Sequence, residues 1–146
     1  MKSLLVIASC LVLFACGNTS EHAGHDMESD GDSPNQALYN QVIDIHDEVM
    51  PKMEDLYKFK QKCQDSIAHT PGMAAEQKKE LENMIAELDS ANNAMMDWMH
   101  NFNPKPDSTD QEVAREYLET EMERIKKVRD FTNETLEKAK KTTGAQ

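Results

Sequence analysis

The chain has 146 residues and a formal net charge of −11, with 27 Asp and Glu against 16 Lys and Arg. That length holds one modest domain rather than two. The charge excludes nucleic acid, and docking on an anionic membrane surface, as natural partners, because both present negative charge of their own.

The first 15 residues carry a single charge, Lys2, followed by an apolar stretch from Leu4 to Ala15. A spanning helix needs about 20 apolar residues, so this stretch is a targeting segment rather than an anchor. It closes on Leu13-Phe14-Ala15-Cys16, which resembles the lipobox of bacterial lipoprotein precursors. The resemblance implies cleavage before Cys16 and attachment of fatty acyl groups such as palmitate to it. It also implies a cell-membrane location through a lipid anchor. Gly17 stands where some lipoproteins carry an inner-membrane retention Asp, so the implied address is the outer membrane, facing the periplasm. With Cys10 in the leader and Cys16 acylated, Cys63 has no internal partner. The fold therefore does not rest on a disulfide.

Residues 16–33 are Gly, Ser, Asn, Asp and Glu with almost nothing apolar, the composition of an acidic disordered tether. Within it, Glu21-His22-Ala23-Gly24-His25-Asp26-Met27 gathers two imidazoles and a thioether. Such a segment wraps a copper or zinc ion without a preformed cavity, at a cost in ordering entropy. A solvated spacer with two chance histidines is the alternative.

The pattern changes at Ser33-Pro34-Asn35-Gln36, which reads as an N-cap with Pro at the first helical position. Apolar residues then recur three or four apart at Leu38, Val42, Ile45, Val49, Met53, Leu56, Cys63 and Ile67, with a gap at Lys60. This spacing predicts a helix over 34–69, kinked where Pro51 frees the carbonyl of Asp47. Thr70-Pro71-Gly72 breaks it. A second helix over 71–102 carries Ala74, Gln77, Leu81, Met84, Leu88, Ala91, Met95, Trp98 and Phe102, ending before Pro104 and Pro106. A third, over 108–142, starts from a capping box of Ser108 with Gln111 or Thr109 with Glu112. Its stripe is Val113, Tyr117, Leu118, Met122, Ile125, Val128, Phe131, Leu136 and Ala139, interrupted by Glu121. Lys138, Lys140, Lys141 and Gly144 suit its C-terminus. Three such helices on short loops predict an all-α, antiparallel up-down-up three-helix bundle over 34–142, with coiled-coil-like packing.

Two blocks stand out of this background, His46-Asp47-Glu48-Val49-Met50-Pro51-Lys52-Met53 and Met95-Met96-Asp97-Trp98-Met99-His100-Asn101-Phe102. Here the sequence resembles a family of small lipoproteins of Gram-negative bacteria with similar HDEVMPKM and MMDWMHNF blocks, sometimes labelled after viral A-type inclusion proteins. The resemblance implies an envelope location and a bundle fold, and no particular activity. If the first two helices reverse near Thr70-Pro71, His46 meets the level of Met96, with Met50 one turn on. His46, Met50, Met99 and His100 then form a candidate imidazole and thioether set, which suits Cu(I) better than Mg or Ca. The plainer reading makes Met53, Met95, Trp98 and Phe102 packing or interaction residues, since methionines at helical spacing more often fill cores.

Catalytic signatures are missing: the sequence has no H-E-x-x-H, no G-x-S-x-G and no glycine-rich phosphate loop. A di-iron bundle needs two Glu-x-x-His pairs and four helices. The sequence therefore predicts a non-enzymatic, lipid-anchored helical module that holds an unknown envelope protein or serves structurally, or else a periplasmic copper- or zinc-binding lipoprotein.

Overall fold

A computed structural model describes residues 35–104 and 110–144. Four helical segments follow one another, α1 (Gln36–Val49), α2 (Lys52–His69), α3 (Ala75–Asn101) and α4 (Gln111–Thr143), with no strand among the described residues. They build three rods, because α1 and α2 are the halves of one rod broken at Met50-Pro51. The architecture is the antiparallel three-helix bundle that the hydrophobic periodicity requires.

Pro51 explains the break. Lacking an N–H, it cannot reach the carbonyl of Asp47, and its ring crowds that carbonyl. The amide of Met50 still bonds His46 O at 2.9 Å, and that of Met53 closes a tighter turn onto Met50 O at 3.2 Å. The backbone of α1 then lies along α4, and α1 reaches α3 through side chains alone, whereas α2 packs directly on α3. One rod is thus split between two kinds of packing.

The reversal into α3 is a type II turn, with Pro71 at its second position and Gly72 at φ 77° at its third. The amide of Met73 bonds Thr70 O at 3.3 Å. A side chain at residue 72 would have to enter the left-handed region, which glycine does without steric cost. At the far end α3 stops at Asn101, and Phe102 turns extended with φ −70° and ψ 112°. Pro104 supplies the stop by disfavouring a helical Asn103. The C-terminus of α4 ends on Gly144 at φ 61°, after Lys140 and Lys141 in the last turn, as the basic run and the glycine predicted.

Helix starts differ from the sequence reading. Asn35 precedes α1, but its side chain makes no cap bond. Its amide instead donates to Gln111 O at 2.9 Å and Gln111 Oε1 at 3.1 Å, tying the start of α1 to that of α4. The cap of α4 is Asp110, whose Oδ1 accepts from the amides of Glu112, at 2.9 Å, and Val113. The expected caps Ser33, Ser108 and Thr109 lie outside the described residues.

Two clusters make the core. At one end Leu56, Cys63, Leu81, Met84, Leu88, Ala91, Leu136 and Ala139 are buried together; at the other, Val42, Val49, Met95, Trp98, Met122 and Ile125. Met53 packs against both. Burying one such side chain fully contributes about 1.5–3 kcal/mol.

The seam of α4 departs from expectation. Val113 is 49% exposed and Ala114 takes its place inside, while Thr132 and Thr135 are fully buried beside half-buried Phe131. A bulky ring fits the rim of a narrow bundle, and a small β-branched residue fits its axis. Gln77 is exposed rather than seated in the seam. Lys60, the gap in the first stripe, is half-buried and reaches across to Asp89 at 2.7 Å, its aliphatic stem covering the seam. Lys138 bridges to Glu87 at 3.0 Å, and Lys52 donates to Asn133 Oδ1 at 2.9 Å. Such half-exposed pairs contribute at most about 1 kcal/mol each and serve mainly to fix register.

Candidate functional site

Where α1 stands off from α3, large side chains fill the gap. Trp98 stacks on Phe102 with ring centroids 4.8 Å apart, and Phe102 is flanked by Tyr39 of α1 at 6.1 Å and Tyr117 of α4 at 6.3 Å. Desolvation by burial pushes the Tyr117 phenol above its ordinary pKa, partly offset by the Asn103 amide that donates to it at 2.6 Å. These rings act as a wedge that holds α1 at its distance.

At the edge of the wedge lies His46. Its position follows from the α1 stripe: Val42, Ile45 and Val49 turn inward, and His46, one residue past Ile45, looks across the gap at α3. The side chain is 22% exposed. Its ring lies 5.8 Å from that of Trp98, tilted by 34°. Nε2 sits 3.2 Å from the sulfur of Met99, and Nδ1 sits 2.8 Å from Asp47 Oδ1.

Those two distances constrain the imidazole. A carboxylate only accepts, so the Asp47 contact puts a proton on Nδ1. In the neutral ring Nε2 then carries a lone pair, and that lone pair faces a thioether sulfur, itself only a weak acceptor. Two electron-pair donors point into one space. A proton on Nε2 resolves the contact weakly, because thioethers accept poorly; a soft cation between them resolves it strongly. Ions that bind imidazole at about 2.0–2.1 Å and sulfur at about 2.3 Å subtend roughly 95° across this gap, and a further ~0.4 Å of opening gives a tetrahedral angle. The carboxylate behind Nδ1 is the arrangement that orients metal-binding histidines.

More thioethers stand near. Met50 lies one turn after His46 at the i, i+4 position, and Met95 one turn before Met99; Met50 and Met99 are half-buried, Met95 fully buried, all in the same core cluster. Met53 lies deeper, between the clusters, and reads as core. Trp98 is buried and Phe102 half-buried, both in this cluster. The register differs from expectation by about one turn, since His46 meets Met99 and Trp98 rather than Met96. Met96 is 39% exposed on another face. His100 is exposed, and its Nδ1 bonds the carbonyl of Met96 in its own helix at 2.7 Å, which turns it away from the group. No cluster of three or more His, Cys, Asp or Glu suited to a metal occurs among the described residues. Any ion held here therefore depends on sulfur. His22, His25, Met27 and Cys16 lie outside the described residues.

Several features escaped the sequence reading. The Tyr39, Phe102 and Tyr117 stack joins three helices and becomes visible only once they are docked. Glu121, already seen as an interruption of the third stripe, is 2% exposed, with one oxygen 3.0 Å from Arg124 and the other, buried, without a partner. Trp98 Nε1 and the hydroxyls of Thr132 and Thr135 are likewise buried and unpartnered. Cys63 is buried as a small apolar residue, and desolvation raises its thiol pKa.

No protein-family model matches the chain, nor does any curated protein or solved structure. No helix among the described residues is long and apolar enough to cross a membrane.

Proposed function

We propose that the protein is a lipid-anchored envelope protein whose helical bundle binds a soft metal ion, copper before zinc, through His46 Nε2 and Met99 Sδ with Met50 as a further thioether. The observation that carries this reading is the 3.2 Å approach of the two lone-pair donors, with the imidazole oriented from behind by Asp47. The Pro51 break supports it, because it lets α1 stand off from α3 and leaves room between them. Anchoring at Cys16 through the lipobox, and capture of metal by the tether residues His22, His25 and Met27, belong to the same proposal. The tether gathers ions near the membrane and the bundle holds them.

The reading as a docking module for an envelope protein has less behind it. The large apolar residues exposed among the described residues, Tyr57, Met96 and Val113, sit on three different helices. Single exposed apolar residues are ordinary on any surface.

Titration of the mature acylated chain with Cu(I), anaerobically and against a colorimetric chelator, tests the proposal. One ion per chain should bind tightly at the bundle, beside any held by the tether, and His46→Ala and Met99→Leu should each weaken it at least tenfold. Substituting the tether ligands together should leave the bundle site intact, and Cys63→Ala, as a thiol control, should leave the affinity unchanged. Binding no tighter than millimolar, or binding indifferent to His46 and Met99, would refute it.

A further inference from the structure

Resting on that reading, we infer that the bound ion is Cu(I) held against the π face of Trp98, and that the indole is the part of the site that selects monovalent copper over Zn(II).

The argument begins with ligand charge. His46, Met99 and Met50 are all neutral donors, and the nearest carboxylate, Asp47, is engaged at Nδ1 rather than turned to the ion. A divalent ion would keep its full charge in a half-buried place and would seek carboxylate or thiolate partners. Cu(I) accepts soft, neutral thioether and imidazole ligands and leaves only one charge to be compensated. An aromatic face compensates part of such a charge, and more of it where the site is desolvated.

The geometry supplies that face. The indole lies 5.8 Å from the His46 ring and immediately precedes Met99 in α3. The indole is thus the ring beside the ligand imidazole, and a ring attracts a cation out to roughly 6 Å. Trp98 is also fixed, being 6% exposed and stacked on Phe102 at 22°.

A second, independent observation concerns the indole nitrogen. Nε1 is buried and has no hydrogen-bond partner, and an orphaned buried donor is destabilising. Phenylalanine would fill much of the same space without that cost. The orphaned donor therefore offsets part of what the larger ring gains by packing, and the stronger quadrupole of indole, the best of the aromatic faces for a cation, adds a reason for tryptophan here.

Trp98 is the only tryptophan of the chain, so its emission reports on this site alone. The experiment follows Trp98 fluorescence and chelator-competition affinity in parallel on the mature acylated chain, with Cu(I), Ag(I) as its redox-inert analogue, and Zn(II). Stoichiometric Cu(I) and Ag(I) should quench and shift the emission, and Zn(II) should leave it unmoved. Trp98→Leu should lower Cu(I) affinity about tenfold, the equivalent of a 1.4 kcal/mol contact, with no effect on residual Zn(II) binding. Trp98→Phe, which preserves packing against Phe102, should fall between wild type and Trp98→Leu, and circular dichroism checks that both variants fold. Cu(I) binding that needs His46 and Met99 but ignores both Trp98 substitutions would overturn this inference and leave the metal-binding reading standing. No Cu(I) binding at all would remove both.

Discussion

Replacing Glu121 with methionine should stabilise the domain, although it deletes an ion pair. The carboxylate is 2% exposed, with Oε1 3.0 Å from Arg124 and Oε2 buried without a partner, whereas the Arg124 side chain is 60% exposed. Loss of a pair whose cation is mostly solvated costs about 0–1 kcal/mol. Removing the unpartnered oxygen returns about 1–3 kcal/mol, and hydrophobic replacements of buried charges range up to about 4 kcal/mol in favour. The balance predicts a gain of roughly 1–3 kcal/mol, near 4 °C or more in melting temperature for each kcal/mol at this domain size. Urea denaturation should show a higher midpoint with an unchanged slope. Arg124→Ala should act the other way, since it leaves both oxygens buried and unpaired. The antiparallel register that sets Phe102 against Tyr117 brings Trp98, one turn earlier, to the level of Glu121. If Glu121→Met lowers the midpoint and Arg124→Ala leaves it unchanged, the carboxylate is satisfied from inside the bundle and the reasoning above is refuted.

Thr132→Val and Thr135→Val remove buried hydroxyls that lack partners while keeping the branched shape, and each should add about 1 kcal/mol by urea denaturation; a loss at either site would mean that its hydroxyl is bonded. Pro51→Ala restores the amide that Asp47 O lacks and should draw α1 into line with α2. The melting temperature should hold or rise while Cu(I) affinity falls more than tenfold, and unchanged affinity would show that the break does not position His46. Burial raises the Cys63 thiol pKa, so less thiolate is present at any given pH. A disulfide reagent at pH 8 should modify Cys63 far more slowly than a free thiol, at a rate that jumps on unfolding; ready reaction in the native protein would contradict its burial.

Much of the bundle is written in the spacing of single residues. Leucines and methionines three and four apart on α3 admit one period, and six of the nine stripe positions from Ala74 to Phe102 are buried as that period requires. Pro51, Thr70-Pro71-Gly72, Pro104 and Gly144 mark where regular backbone must stop, because their allowed dihedrals and missing amides act without reference to the rest of the fold. The candidate ligands were legible for a similar reason: methionine and histidine declare their chemistry wherever they stand, and two blocks concentrate them.

Tertiary structure decided what a one-dimensional period cannot carry. Periodicity names a face and not its depth, so it placed Val113 in the core, overlooked Thr132 and Thr135, and marked Glu121 as an interruption of the stripe without showing how deeply it is buried. Asn35 looked like part of a cap and became a tie between two helix starts, because its amide finds Gln111 only after α1 and α4 align. A reversal taken at Thr70-Pro71 set His46 opposite Met96; the turn lies between His69 and Ala75, further along the chain, and the meeting moves to Met99 and Trp98. Helical geometry also turns Met99 and His100, neighbours in sequence, to different faces. The sequence by itself determined three amphipathic rods, where they stop and their supply of imidazole and thioether side chains, since these follow from local backbone and side-chain chemistry. Which imidazole faces which sulfur, and which ring lies beside them, was decided only by docking, through the angle at Pro51 and the bulk of the aromatic wedge between α1 and α3.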